Sequence, residues 1–170
     1  MNAGNSQVQK HMVVFSTFCR IHTALALQIV DIEYPEDDFA DVKTRMSNGN
    51  VVEWQLGRWV DQAQMGAIRL CSEYNPLTAT EALRNILVKK ASKYAGLQGT
   101  DARLLLHYEE AVLYNSPYHQ SSVALEDMAY LAGHWLGVDF PRFSTAFREA
   151  YLLHCDERRV FQIFPSVLCV

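Results

Sequence analysis

The sequence has no pair of cysteines at CxxC spacing and no pair of histidines at HxxxH spacing, although it contains 4 cysteines and 6 histidines. The ligand spacing of a structural zinc site is therefore absent. No apolar run approaches the roughly 18 residues that a membrane-spanning helix needs, and no basic, apolar and small-residue signal opens the chain. We therefore expect a cytoplasmic protein without membrane contact, whose cysteines are reduced thiols packed in the core.

The chain also lacks low-complexity tracts, internal repeats and a large excess of either charge. Its 170 residues are 49% hydrophobic, and its net charge is −4. This length and composition predict a single domain over residues 1–170, with a frayed polar terminus at 1–6. This negative net charge argues against a protein that binds nucleic acid through its overall charge. It leaves open the local binding of a phosphate backbone.

Hydrophobic periodicity and turn signals predict alternating helices and strands. The predicted helices are 7–23, 78–94 and 121–137, and the predicted strands are 25–34, 40–46, 51–56, 102–108, 149–155 and 159–164. The strongest local signal is Asn48-Gly49, because an Asn-Gly pair between two β-capable runs favours a hairpin. The order predicts a mixed α/β (α+β) fold with one central mixed sheet of at least four strands, flanked by helices.

The predicted hairpin contains the residues that are the best candidates for a metal-binding or catalytic site. Asp41 begins its first strand, and Glu53 and Gln55 lie two residues apart on its second strand, so they share one face. An acid on each of two paired strands can converge on one divalent cation. Magnesium prefers such carboxylate oxygens together with water.

The segment from Asp41 to Gln55, DVKTRMSNGNVVEWQ, resembles the metal-binding core of the PD-(D/E)xK nuclease-like superfamily. The resemblance covers roughly residues 7–110 and implies a restriction-endonuclease-like core in the order α-β-β-β-α-β. It also implies that Asp41 and Glu53 bind Mg²⁺ or Mn²⁺. Gln55 would stand where the superfamily has a lysine that orients and activates the attacking water.

The sequence departs from that pattern in three places. Gln55 cannot supply a positive charge, Ala40 stands where the motif has proline, and the segment 7–23 contains no Asp or Glu. A lysine from the next helix sometimes substitutes in the superfamily, and Lys89, Lys90 or Lys93 could do so here. Lys90 shares the apolar face of its helix, so we expect it to point inward more than Lys89 or Lys93, with its amine nearer Glu53 than theirs.

Two functions of different classes follow, and a neutral alternative stands beside them. The first is a metal-dependent hydrolase that cleaves phosphodiesters of DNA or RNA. The second is a catalytically inactive nuclease-fold interaction module with a protein partner or as a homo-oligomer, in a larger defence or DNA-processing assembly. In the neutral alternative, the hairpin acids and the helix lysines only keep a solvated surface polar.

Overall fold

A computed structural model of the chain describes residues 3–35, 40–59, 77–95, 101–108, 129–130, 132–136, 141–155 and 158–165. Its helices are α1 (Ala3–Ile21), the short α2 (Thr23–Ala26) and α3 (Leu77–Tyr94), and Pro141–Thr145 form a 3₁₀ turn. Its strands are β1 (Ile29–Glu33), β2 (Val42–Met46), β3 (Val51–Arg58), β4 (Asp101–Tyr108), β5 (Glu149–His154) and β6 (Arg159–Phe164). The predicted mixed α+β class is confirmed.

The six strands form one mixed sheet in which spatial order follows chain order, from β1 to β6. The first three strands are antiparallel, β3 pairs with β4 in parallel, β4 pairs with β5 in parallel, and β5 and β6 are antiparallel. The parallel β3–β4 pairing requires a crossover, and α3 lies in that connection. The expected antiparallel pairing of the hairpin strands is confirmed by the register of Val42 with Trp54.

Each face of the sheet has its own hydrophobic cluster. On one face, Phe15 and Phe18 of α1 pack against Trp54 and Leu105. On the other face, Leu83 and Leu87 of α3 pack against Leu104 and Leu106. The central strand β4 is therefore covered on both sides, which explains its continuous apolar run. The prediction that residues 104–106 are buried is confirmed, because each is 0% exposed.

The beginning of the chain differs from the prediction at two points. Helix α1 starts at Ala3, so residues 3–6, expected to be frayed, are helical. The predicted strand 25–34 is wrong over its first four residues, because α2 and a turn occupy them. Leu25 and Ala26 both donate backbone hydrogen bonds to the carbonyl of His22, and this local bonding prevents an extended strand.

The hairpin turn forms where Asn48-Gly49 predicts it, but the two residues contribute differently. Gly49 has a φ of 86°, which a side chain would disfavour. Asn48 contributes its side chain, whose oxygen accepts a hydrogen bond from the backbone N–H of Asn50 at 3.0 Å. Both residue types tolerate positive φ, but only Gly49 of this pair adopts it.

The last two predicted strands agree with β5 and β6 to within a residue. In the predicted helix 121–137, residues 129–130 and 132–136 are helical, and the rest lie outside the described residues. Within the described part of the chain, no helix is long and apolar enough to cross a membrane.

The buried pair of Trp54 and Thr44 provides a test of this packing. The Trp54 indole N–H donates to the Thr44 hydroxyl at 3.0 Å, and both side chains are 0% exposed. Thr44→Val should destabilise the fold by about 1–3 kcal/mol, because it removes the acceptor and leaves the indole donor unsatisfied. In a Trp54→Phe background the same substitution should cost about 0.5–1.5 kcal/mol less. Urea denaturation of the four proteins measures the difference, and an additive result would contradict the hydrogen bond's contribution.

Candidate functional site

Asp41 lies at the edge of the sheet, immediately before β2, and its carboxylate reaches the neighbouring strand. Its Oδ2 accepts a hydrogen bond from the backbone N–H of Leu56 at 2.7 Å. The last paired residues of β2 and β3 are Val42 and Trp54, so Leu56 lies beyond the end of the ladder. The Asp41 carboxylate therefore supplies an acceptor that β2 no longer provides.

Lys90, on α3, contacts the backbone of the same residue, Leu56. Its amine donates to the carbonyl oxygen of Leu56 at 2.9 Å. Burial, the largest influence, lowers the pKa of Lys90 below its ordinary value; the charge of Asp41 opposes this, and Lys93 and Lys89 add to it. Lys89 and Lys93 are exposed whereas Lys90 is half-buried, so the predicted inward orientation of Lys90 is confirmed.

Glu53 lies on the α3 side of the sheet, within a row of alternating charges. The register places Glu33 opposite Lys43 and Lys43 opposite Glu53. The Lys43 amine lies 3.9 Å from the Glu53 carboxylate. We expected Lys90 to be the partner of Glu53, but Lys43 is in contact with Glu53, and the Lys90 amine bonds to the backbone of Leu56 instead.

Gln55 is buried against α3. It is 4% exposed, and its side-chain oxygen accepts a hydrogen bond from the Tyr94 hydroxyl at 2.6 Å. The Tyr94 hydroxyl therefore already engages one polar atom of the amide. The expectation that Gln55 positions a water stays a prediction, and Tyr94 is a neighbour that sequence spacing did not indicate.

The structure thus brings Asp41 and Lys90 together at the backbone of Leu56, where Asp41 accepts from the N–H and Lys90 donates to the carbonyl. Extending the register of the hairpin places Asp41 across from Gln55 and diagonal to Glu53. Diagonal neighbours on paired strands typically lie roughly 7–8 Å apart, so the Asp41 and Glu53 side chains must lean toward each other to share an ion.

Sequence reasoning missed His11, which approaches Asp41 from α1. Its Nδ1 lies 3.7 Å from Asp41 Oδ1, and both side chains are partly buried. No motif links two residues thirty positions apart, on a helix and at a strand edge.

A second polar group lies on the α1 side of the sheet, at the start of β4 and β5. The Arg103 guanidinium lies 3.0 Å from the Glu149 carboxylate and 5.4 Å from the centre of the Trp54 ring. The Tyr151 hydroxyl donates to Glu149 at 2.6 Å, and burial, then this hydrogen bond, raise the pKa of Tyr151. Glu149 thus contacts both Arg103 and Tyr151, whereas Arg103 Nε, 3.7 Å from Asp101 Oδ1, has no hydrogen-bond partner among the described residues.

The cysteines offer no nucleophile in the described residues. Burial raises the pKa of Cys19 to about 11, so its thiol stays protonated and unreactive near neutral pH. Cys155 is also partly buried, while Cys71 and Cys169 lie outside the described residues.

A Mg²⁺ or Mn²⁺ site needs fewer protein ligands than a closed metal centre does. Mg²⁺ and Mn²⁺ sites often use only one or two carboxylates and complete their shells with water and substrate phosphate. Asp41 and Glu53 supply carboxylates that are 27% and 24% exposed. In the residues that the structure describes, no group of three or more His, Cys, Asp and Glu side chains is arranged to hold a metal.

Comparisons with protein-family models, with curated proteins and with solved structures find no match to this chain.

Gly57 keeps Lys90 close to β3, and its substitution tests that packing. A Cβ at this position would lie 2.8 Å from Leu106 Cδ2 and 3.3 Å from Lys90 Cε. Gly57→Ala should therefore cost about 1–3 kcal/mol of stability through overpacking. In a Leu106→Val background, which removes Cδ2, the additional cost should be smaller, as chemical denaturation would reveal. An equal cost in both backgrounds would contradict the contact.

Proposed function

We propose that this protein is a divalent-metal-dependent nuclease-like domain that hydrolyses phosphodiesters of DNA or RNA. The observation that carries the proposal is that Asp41 and Lys90 bind the backbone N–H and carbonyl of one residue, Leu56. A carboxylate beside a half-buried ammonium offers both a cation ligand and a positive charge for a phosphate group. A bound cation and a nearby positive charge both stabilise the negative charge that develops on a phosphate during hydrolysis.

The order of the described elements supports a restriction-endonuclease-like core. Helix α1 and the short α2 precede three antiparallel strands, and α3 then leads to β4, which is parallel to β3. Apart from the additional α2, this arrangement is compatible with the order α-β-β-β-α-β that the resemblance to PD-(D/E)xK proteins implies. The acids would lie at the start of β2 and within β3, as in that pattern.

Each residue of the site would have a separate role. Asp41 and Glu53 would hold Mg²⁺ or Mn²⁺, and the bound ion would lower the pKa of a water and stabilise negative charge on the phosphate. Lys90 would offer its ammonium to the phosphoryl oxygens, a function that the neutral amide of Gln55 cannot perform. Tyr94 would hold the Gln55 side chain in one orientation through its hydroxyl.

The test is a cleavage assay with Mn²⁺ on plasmid DNA, single-stranded DNA and RNA. Asp41→Asn is the suitable variant, because its amide oxygen can still accept the Leu56 N–H while the negative charge is lost. It and Lys90→Met should each lower the cleavage rate by about 10²-fold or more. Arg20→Met is the matched control, because it removes an exposed cation in the last turn of α1, and it should leave the rate within about threefold of wild type.

The alternative is a catalytically inactive module of the same fold that binds nucleic acid or a protein partner, including a second copy of itself. Its specific support is Gln55, which lies buried beneath Tyr94 in place of a lysine. No cleavage by wild type on any of the three substrates would favour this alternative. Nucleic-acid binding in EDTA, measured by gel shift and unchanged by Asp41→Asn, would then identify a binding module.

A further inference from the structure

The two oxygens of the Asp41 carboxylate have different surroundings. Oδ2 is engaged by the Leu56 N–H at 2.7 Å. Oδ1 faces the imidazole of His11, whose Nδ1 lies 3.7 Å away. That separation exceeds a hydrogen bond. Two donors bound to a single metal ion at about 2.1 Å each lie up to roughly 4.2 Å apart, so the pair could share one ion.

His11 is held in place by the packing of its helix. Phe15 and Phe18 of α1 are fully buried, and their rings lie 5.2 and 5.4 Å from that of Trp54. The His11 side chain is only 16% exposed, whereas the next residue, Met12, is 46% exposed. The imidazole therefore faces the sheet edge on a rigid element, which is how a ligand is positioned for binding.

Gln7, one helical turn before His11, contacts the other ring nitrogen. The Gln7 amide nitrogen lies 2.9 Å from His11 Nε2. The oxygen and nitrogen of an amide exchange places on a 180° rotation, so the Gln7 oxygen can accept a hydrogen bond from Nε2–H. That tautomer leaves the Nδ1 lone pair directed toward Asp41. Metal-binding histidines usually have such an acceptor on their second nitrogen.

We propose that His11 and Asp41 together bind a transition-metal ion, with Gln7 orienting the imidazole. Imidazole nitrogen is a good ligand for Zn²⁺, Co²⁺ and Ni²⁺ and a poor one for Mg²⁺. The site therefore takes ions of the zinc type through this pair, with water or phosphate in the remaining positions. The inference rests on the proposed function only in taking Asp41 as a metal ligand. It adds His11 of α1 as a ligand that the proposed function does not include.

The first measurement is calorimetric titration of the full chain with Zn²⁺ and, separately, with Mg²⁺. His11→Ala should lower Zn²⁺ affinity by about tenfold or more and leave any Mg²⁺ affinity within about threefold. Gln7→Ala should lower Zn²⁺ affinity by several-fold, because only the orientation of the imidazole is lost. His134→Ala, at an exposed histidine on a helical segment, is the matched control and should leave both affinities unchanged.

The second measurement identifies the ligand directly. In protein labelled with ¹⁵N-histidine, the imidazole resonance that is missing in His11→Gln should be the one that moves on addition of Zn²⁺. His11→Gln keeps the size of the side chain, so the test does not depend on the fold tolerating alanine. Circular dichroism of each variant checks that the fold is retained.

The outcomes separate this inference from the proposed function. Zinc binding that Asp41→Asn weakens and His11→Ala does not would overturn the role of His11 and leave the metal site at Asp41 standing. Zinc binding that neither variant weakens would overturn both the role of His11 and the assignment of a metal to Asp41. Weakening by both variants, without an effect of His134→Ala, supports the shared ion.

Discussion

The candidate site depends on the hydrogen bonds of the Leu56 backbone N–H and carbonyl. Strand β3 continues to Arg58, whereas its pairing with β2 ends at Trp54, so one edge of the strand would lose its hydrogen-bond partners there. Asp41 satisfies the Leu56 N–H and Lys90 satisfies its carbonyl. An unpaired buried peptide group costs about 1–3 kcal/mol, so both side chains have a structural use before any chemistry is considered.

Both residues also have features that a purely structural role does not require. A structural role for Asp41 needs only Oδ2, yet its side chain is 27% exposed and Oδ1 faces His11 instead of another backbone donor. A structural role for Lys90 needs only a donor. Burying an ammonium for that purpose is costly, as its lowered pKa indicates, and a neutral donor would avoid that cost.

Local signals predicted the elements, and long-range contacts determined the site. Asn48-Gly49 predicted the hairpin because turn chemistry is encoded in adjacent residues, and the apolar run of residues 104–106 predicted a strand buried on both faces. The strand prediction failed at Leu25 because alternating hydrophobicity does not exclude a local helical turn. The contacts of Gln55 with Tyr94 and of Asp41 with His11 join residues far apart in sequence, which periodicity does not connect.

The charges around the site are compatible with the anionic substrate of the proposed function, although the protein is acidic overall. In the described residues, the Glu33–Lys43–Glu53 row alternates in sign across β1, β2 and β3, so it adds little net field. The last two turns of α3 carry three lysines, at positions 89, 90 and 93. Lys90 is the one that bonds to the Leu56 carbonyl. The three lysines counter the partial negative charge of the helix C-terminus and create a local positive region. A phosphate would therefore approach the site from the α3 side. His11 contacts Asp41 from α1, so the phosphate and the imidazole would reach the Asp41 carboxylate from opposite directions.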